Sequence, residues 1–212
     1  MYIPNQFREE KPEVLRAFIA RHPLGALVAV TADGLTANHF PMLWHEREGT
    51  AGVLLGHVAR ANTLWKALAP DATVLVIFGG ANRYISPSWY PAKQEHGKVV
   101  PTWNYAVVHA HGTVRFAAED HDRSLRHLEA LTNHQEMSRA DPWKVSDAPA
   151  DYIASMLKNV VPFEIAVTRL EGKFKASQHR PEDERQAVVA ALAAEGVPAA
   201  DCDEVIRAPT PR

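Results

Sequence analysis

Cysteine is almost missing from the chain: Cys202 is the only one in 212 residues. That excludes an intrachain disulfide scaffold and a zinc site built on thiolates. Long apolar runs are missing too. Nothing approaches the ~20 residues of a membrane-spanning helix, and the opening MYIPNQFREE lacks the apolar core of a secretory signal. Neither sign of charge dominates, since 23 Lys and Arg face 25 Asp and Glu for a net −2 and a pI of 6.6. No overall basic field is there to attract a phosphate backbone. Signature motifs are also absent: no G-x-G-x-x-G follows a strand, and there is no P-loop lysine and no G-x-S-x-G elbow. No repeat, linker or low-complexity tract cuts the chain. With 46% hydrophobic and 23% charged residues, the expectation is a cytoplasmic, globular, single domain over residues 1–212, its C-terminal helix and tail beginning near residue 180.

Periodicity supplies the elements. EEKPEVLRAFIARHP places Val14, Leu15, Phe18 and Ile19 on one helical stripe, stopped at Pro23. LGALVAVTADGLTANHFPMLWHE then reads as two strands joined at Asp33-Gly34, a strong hairpin signal. REGTAG turns the chain into the strand GVLLGHV, and ARANTLWKALAPDA is a loop opening a short helix. TVLVIFGG is a strand that ends at a Gly79-Gly80 bend. In AVVHAHGTVRFA, Val108, Ala110, Val114 and Phe116 share one face, and His109, His111, Thr113 and Arg115 the other. EDHDRSLRHLEALTNHQE reads as a helix with Leu125, Leu128 and Leu131 three apart, PADYIASMLKNV as another, and PFEIAVTRLEGKFKAS as a strand. RPEDERQAVVAALAAEG opens a final helix at Pro181 and closes it at Gly196, before a loose tail, DCDEVIRAPTPR. About six strands with helices at the ends and in the gaps indicate a mainly β (α+β) fold, an antiparallel barrel or sheet with peripheral helices.

Two places carry chemistry. A strand delivering Arg60 and Asn62 to a helix start can hold a phosphate on a guanidinium and first-turn N–H groups; equally, Asn62 can cap the helix while Arg60 is a solvated charge. His57 is either a wall of that site or a partnered core histidine. His109 and His111 could chelate a metal at i, i+2, but no carboxylate stands at ligand spacing, and the polar face of an alternating strand explains them. The second place is YISPSWYPAKQEHGKVVPTWNY. Pro87, Pro91 and Pro101 rule out a regular central strand or long helix there. Trp89 and Trp103 therefore sit on bends, where indoles, Tyr hydroxyls, Ser86 and Ser88 suit the wall of a flat, polar-edged ligand; Ser88 could instead cap a short turn.

HVARANTLWKAL, YISPSWY, VPTWNYAVVHAHG and KFKASQHRPEDER, in that order and after the start MYIPNQFRE, resemble the PaiB-type FMN-binding negative transcriptional regulators. The resemblance covers nearly the whole chain; Ala176 and His179 depart from the usual Leu and Asn of the last motif, while Ser177 and Gln178 are kept. It implies a split β-barrel of the pyridoxamine-phosphate-oxidase type, working as a homodimer with FMN near the subunit interface. By that analogy Arg60 and Asn62 hold the FMN phosphate, and Asn38, His39 and His57 flank the ribityl chain or ring. Ser86, Ser88, Trp89, Tyr90 and Trp103 cover the isoalloxazine, and Lys173, Ser177 and Gln178 come from the C-terminal turn. No catalytic acid–base pair is visible. The implied function is a flavin-dependent regulator; the alternative is an FMN-dependent oxidoreductase whose regulatory effect is indirect. The charge balance argues against direct DNA binding.

Overall fold

A computed structural model describes residues 1–48 and 51–206. Parts of two predicted segments, REGTAG and the tail, lie outside the described residues. The chain forms two compact units, interleaved in sequence: Met1–His22, Phe78–His109 and Leu170–Arg212 in the first, Pro23–Ile77 and Ala110–Arg169 in the second. Among the described residues eight strands appear where about six were predicted, in an antiparallel, split-barrel arrangement.

In the second unit the strands are β2 (Leu24–Thr31), β3 (Gly34–Pro41), β4 (Leu43–His45), β5 (Val53–Ala59) and the proximal portions of β6 (Ala72–Ile85), β7 (Thr102–Phe116) and β8 (Val160–Lys175) that belong to it. Their order is β3-β2-β6-β7-β8-β5-β4. The β2–β3 turn is two residues long, Ala32 and Asp33 between the paired Thr31 and Gly34; Gly34 then takes φ +105°, which only glycine adopts cheaply. Alternate residues of these strands are buried, among them Leu27, Leu54, Val58, Val76, Val114 and Ile165. Phe163 joins Phe40 and Phe116 edge to face, with centroids 5.6 and 5.7 Å away. Gly56 makes room for that ring: a Cβ there would lie 2.3 Å from Phe163 Cζ. The unit's helices are α2 (Leu64–Ala67), α4 (His121–Glu136) and α5 (Ala150–Leu157).

Helix α4 does not bury the predicted leucine stripe. Its buried residues are Ser124 and His127, while Leu125, Leu128 and Leu131 are half-buried. Ser124 Oγ donates back to the Asp120 carbonyl at 3.1 Å, and His127 has an imidazole partner across the strand face. Those local bonds let two polar side chains face inward.

In the first unit α1 (Pro12–Arg21) buries the predicted Val14, Leu15, Phe18 and Ile19, with Phe18 5.3 Å from Phe174. A short β1 (Arg8–Glu9) pairs with β8 at Lys173 and Gly172. Three expectations change here. The apolar run does not end at Gly79-Gly80, because β6 continues to Ile85. Trp103 is not on a bend but inside β7, which starts directly after Pro101, where a missing N–H costs no ladder bond. The tail is not loose over its first half: it forms α7 (Ala199–Ile206), and Cys202, Val205 and Ile206 pack with Ile85, Tyr90, Val188 and Leu192. Those last two come from α6 (Glu182–Ala194).

Candidate functional site

In the second unit the corner between β5 and α2 is built by a tight turn, the Asn62 amide donating to the Ala59 carbonyl at 2.8 Å. Asn62 does what a cap does: its Oδ1 accepts from the Leu64 amide at 3.0 Å, and its Nδ2 donates to Asn38 Oδ1 at 2.9 Å. Asn38 thus joins the corner. His39 is exposed on the opposite face of β3.

Arg60 is clamped more than solvated. Its Nε donates to the Lys158 carbonyl at 2.7 Å and its Nη2 to the Ala118 carbonyl at 2.5 Å. Its Nη1 reaches only Glu119, at 3.4 Å, and the Glu119 side chain is 85% exposed. Such a surface pair is weak and readily exchanged. The Trp65 indole donates to the Arg60 carbonyl at 3.1 Å, with the Arg60 guanidinium 5.9 Å and the Lys66 ammonium 4.9 Å from its ring. Trp65 and Lys66 went unassigned from sequence, although both stand in the TLWKAL motif.

His57 turns away from this corner toward α4. Its Nδ1 lies 3.2 Å from His127 Nε2, with ring centroids 5.3 Å apart. Burial pushes both imidazoles toward the neutral form, and with the neighbouring His57, His45 and Arg123 it takes His127 down to about 4. Beyond them Glu164 takes a bidentate pair from Arg47, at 2.9 and 2.8 Å, and a further short bond from Arg123. The Arg47 hydrogen bonds and the two guanidinium charges outweigh desolvation and hold its carboxyl at about 2. Arg47 and Glu164 are 117 positions apart, so no local pattern announces this network.

The first unit gathers part of the predicted aromatic wall. A cleft of about 460 Å³ is lined by Asn82, Tyr84, Ser86, Trp89 and Trp103 with Arg83. The Trp103 indole donates to Asn82 Oδ1 at 3.3 Å, and Tyr84 meets that ring edge-on at 6.2 Å. Ser86 Oγ accepts from the Ser88 amide at 3.2 Å, and Ser88 Oγ from Lys93 at 3.1 Å. Tyr90 is not in the cleft; it is 2% exposed, with the Arg180 guanidinium 4.2 Å above its ring. The C-terminal turn is occupied with its own structure. Ser177, at φ +57°, bonds the buried Asn104 at 2.9 Å; Gln178 accepts from the Ala176 amide and donates to the Phe174 and Gln6 carbonyls. Lys173 lies over the Tyr105 ring at 5.2 Å.

The family model described as "Putative FMN-binding domain" matches residues 1–169. The chain belongs to this FMN-binding family. It is 30% identical, over 91% of this chain and 89% of the other, to the protease synthase and sporulation protein PAI 2 of Bacillus subtilis, which places it with the PaiB type. An uncharacterized protein of Emericella nidulans is 32% identical over 95% of this chain and 94% of its own. The FAD and heme binding protein from Mycobacterium smegmatis superposes with a TM-score of 0.57 at 16% identity, covering 86% of this chain and 79% of that one; at that identity the likeness concerns the fold. The family match takes in the β5–α2 corner and both tryptophans of the cleft. Lys173, Ser177 and Gln178 lie beyond it.

Each unit holds groups whose chemistry suits part of a flavin mononucleotide. Arg60 and Lys66 supply positive charge beside an indole, and the one carboxylate on Arg60 is solvent-exposed. The tryptophan cleft offers stacking faces with amide and hydroxyl edges.

Proposed function

We propose that FMN is held by its phosphate at the β5–α2 corner, and that the protein is a negative regulator of gene expression of the PaiB kind. The observation that carries the reading is the FMN-binding family match over residues 1–169, supported by the exchangeable Arg60–Glu119 pair. The two chain carbonyls orient the guanidinium plane, so a phosphate replacing Glu119 meets a donor already fixed in place. Asn62 and Asn38 position each other beside it, and His57 stays neutral behind it. When bound, FMN supplies redox chemistry of its own.

A cytoplasmic homodimer is the assembly we favour. The outermost strand pair, β2–β3, exposes Leu24, Val30 and Leu35 at 61, 68 and 78%; apolar side chains on a terminal hairpin are suited to a second copy. Base-specific DNA contacts by this chain are not part of the reading, given the net charge of −2. A second reading, an FMN-dependent oxidoreductase with indirect regulatory effect, is favoured by a ligand-sized cavity under α4. Two measurements on the purified protein bear on these. A flavin absorbance band supports the FMN binding that both readings share, and a salt-dependent band shift on DNA at sub-micromolar protein would favour a direct regulator over the oxidoreductase.

A further inference from the structure

Lys66 is the cation left over at the β5–α2 corner. Arg60 is fixed there by the Lys158 and Ala118 carbonyls. Its backbone is held on both sides as well: its amide donates to the Asn159 carbonyl at 2.8 Å, and its carbonyl accepts from the Trp65 indole at 3.1 Å. Among the described residues the Lys66 ammonium has no hydrogen-bond or ion-pair partner; it rests over the Trp65 ring, 4.9 Å from the centroid. The Arg60 guanidinium lies over the same ring at 5.9 Å. Two cations gathered at one place repel each other, and a flexible, strongly hydrated lysine gains freedom by swinging out into water. The half-buried indole opposes that. Its electron-rich face attracts cations out to about 6 Å, and its N–H is anchored to the very residue that carries the other charge.

We propose that Trp65 is a positioning residue that sets Lys66 beside Arg60 as a second cation for the flavin phosphate, and that this pair selects FMN over FAD and riboflavin. The inference rests on the proposed corner for the phosphate and adds what that corner discriminates. A terminal phosphate monoester carries nearly two negative charges at neutral pH. Each phosphate in the diphosphate bridge of FAD carries one and is bonded on both sides, and riboflavin has no phosphate at all. Two cations beside one ring therefore match the FMN phosphate in charge and mismatch both competitors. Arg60, held by two chain carbonyls, supplies a fixed fork. Lys66, held by the ring, supplies a compact point charge free to close on the anion. Glu119, whose side chain is 85% exposed, is the carboxylate to be displaced.

The test measures Kd for FMN, FAD and riboflavin by flavin-fluorescence quenching on the full chain freed of flavin, and follows the ³¹P signal of bound FMN against pH. Wild type should bind FMN at least about tenfold more tightly than FAD or riboflavin. Its bound phosphate should stay dianionic below the usual second pKa of about 6. Lys66→Gln, at an exposed position, should raise Kd for FMN about tenfold, leave riboflavin unchanged and move the phosphate titration back up. Trp65→Leu should do the same with Lys66 still present, and the double variant should weaken FMN by less than the product of the two separate effects. Trp65→Phe, which keeps a ring without the N–H, should recover most of the loss. Melting curves accompany the Trp65 variants, and Lys66→Gln keeps the test decisive if Trp65→Leu unfolds. FAD bound by wild type as tightly as FMN overturns the proposal. So does Lys66→Gln, or a folded Trp65→Leu, that leaves both FMN affinity and the phosphate titration unchanged. If Arg60→Ala weakens FMN in that same series, the corner stands and this inference alone fails; if Arg60→Ala is also without effect, the corner fails with it.

Discussion

Replacing Arg60 by Ala should do two separable things. It removes the bonds to the Lys158 and Ala118 carbonyls at 2.7 and 2.5 Å and the contact with Trp65. Hydrogen bonds from a charged donor contribute roughly 1.5–3 kcal/mol each. The Arg60 side chain is 30% exposed, however, so water takes over part of what both carbonyls lose. A net loss of about 1–3 kcal/mol follows, a fall in Tm of about 2–10 °C for a chain of this size. The effect on binding is larger. The FMN phosphate carries nearly two negative charges, and loss of one charge-assisted contact should raise Kd for FMN by about 10- to 150-fold. The assay is flavin-fluorescence quenching below the melting point of both proteins, with riboflavin in parallel. Riboflavin has no phosphate, so wild type and variant should bind it alike. If FMN binds the variant as tightly as wild type, or if FMN and riboflavin weaken equally, Arg60 is not the phosphate anchor.

Gly56→Ala should cost about 1–3 kcal/mol by overpacking, because its Cβ would fall 2.3 Å from the Phe163 ring; Gly56→Ala paired with Phe163→Leu should recover part of the loss in a thermal melt. Glu164→Gln should destabilise by about 1–2 kcal/mol through loss of the negative charge facing two partly exposed guanidiniums, read by urea unfolding at pH 7. Acid should act on the same network: the Glu164 carboxyl titrates at about 2 when folded, below its ordinary range, so its contribution is complete above about pH 4.5 and fades as pH falls toward 2. His127 adds a step of the same sign at higher pH. Its folded value of about 4 lies below the ordinary 6.5, so the unfolded chain binds the extra proton and stability drops as pH falls from 6.5 to 4; His127→Gln should flatten that part of the curve.

Local signals were legible wherever one short stretch decided the outcome. The β2–β3 hairpin follows from a turn pair between alternating strands, α1 from its apolar stripe ahead of Pro23, and α6 from Pro181 and Gly196. Reading failed where a distant partner overruled a local pattern. Leu125, Leu128 and Leu131 stand three apart in α4, but the fully buried residues are His127 and Ser124, which find in His57 and the Asp120 carbonyl the partners that burial demands. Gly79-Gly80 looked like a bend, yet β6 runs through it to Ile85. In the tail a signal was available and overlooked: Cys202, Val205 and Ile206 stand at helical spacing and fill one core cluster. Among the candidate binding residues, Arg60 and Asn62 stood out through the strand-to-helix pattern and Trp89 and Trp103 through composition, while Asn38 entered only through the family resemblance. The Arg47–Glu164–Arg123 network was not, because its members come from distant segments.

Flavin content tests the central claim most directly. Protein purified without added cofactor should be yellow, with the absorbance bands of an oxidised flavin, and mass spectrometry of the heat-released ligand should identify FMN at close to one per chain. A colourless preparation that fails to bind added FMN at micromolar concentration, while melting cooperatively as a folded protein, would contradict the account.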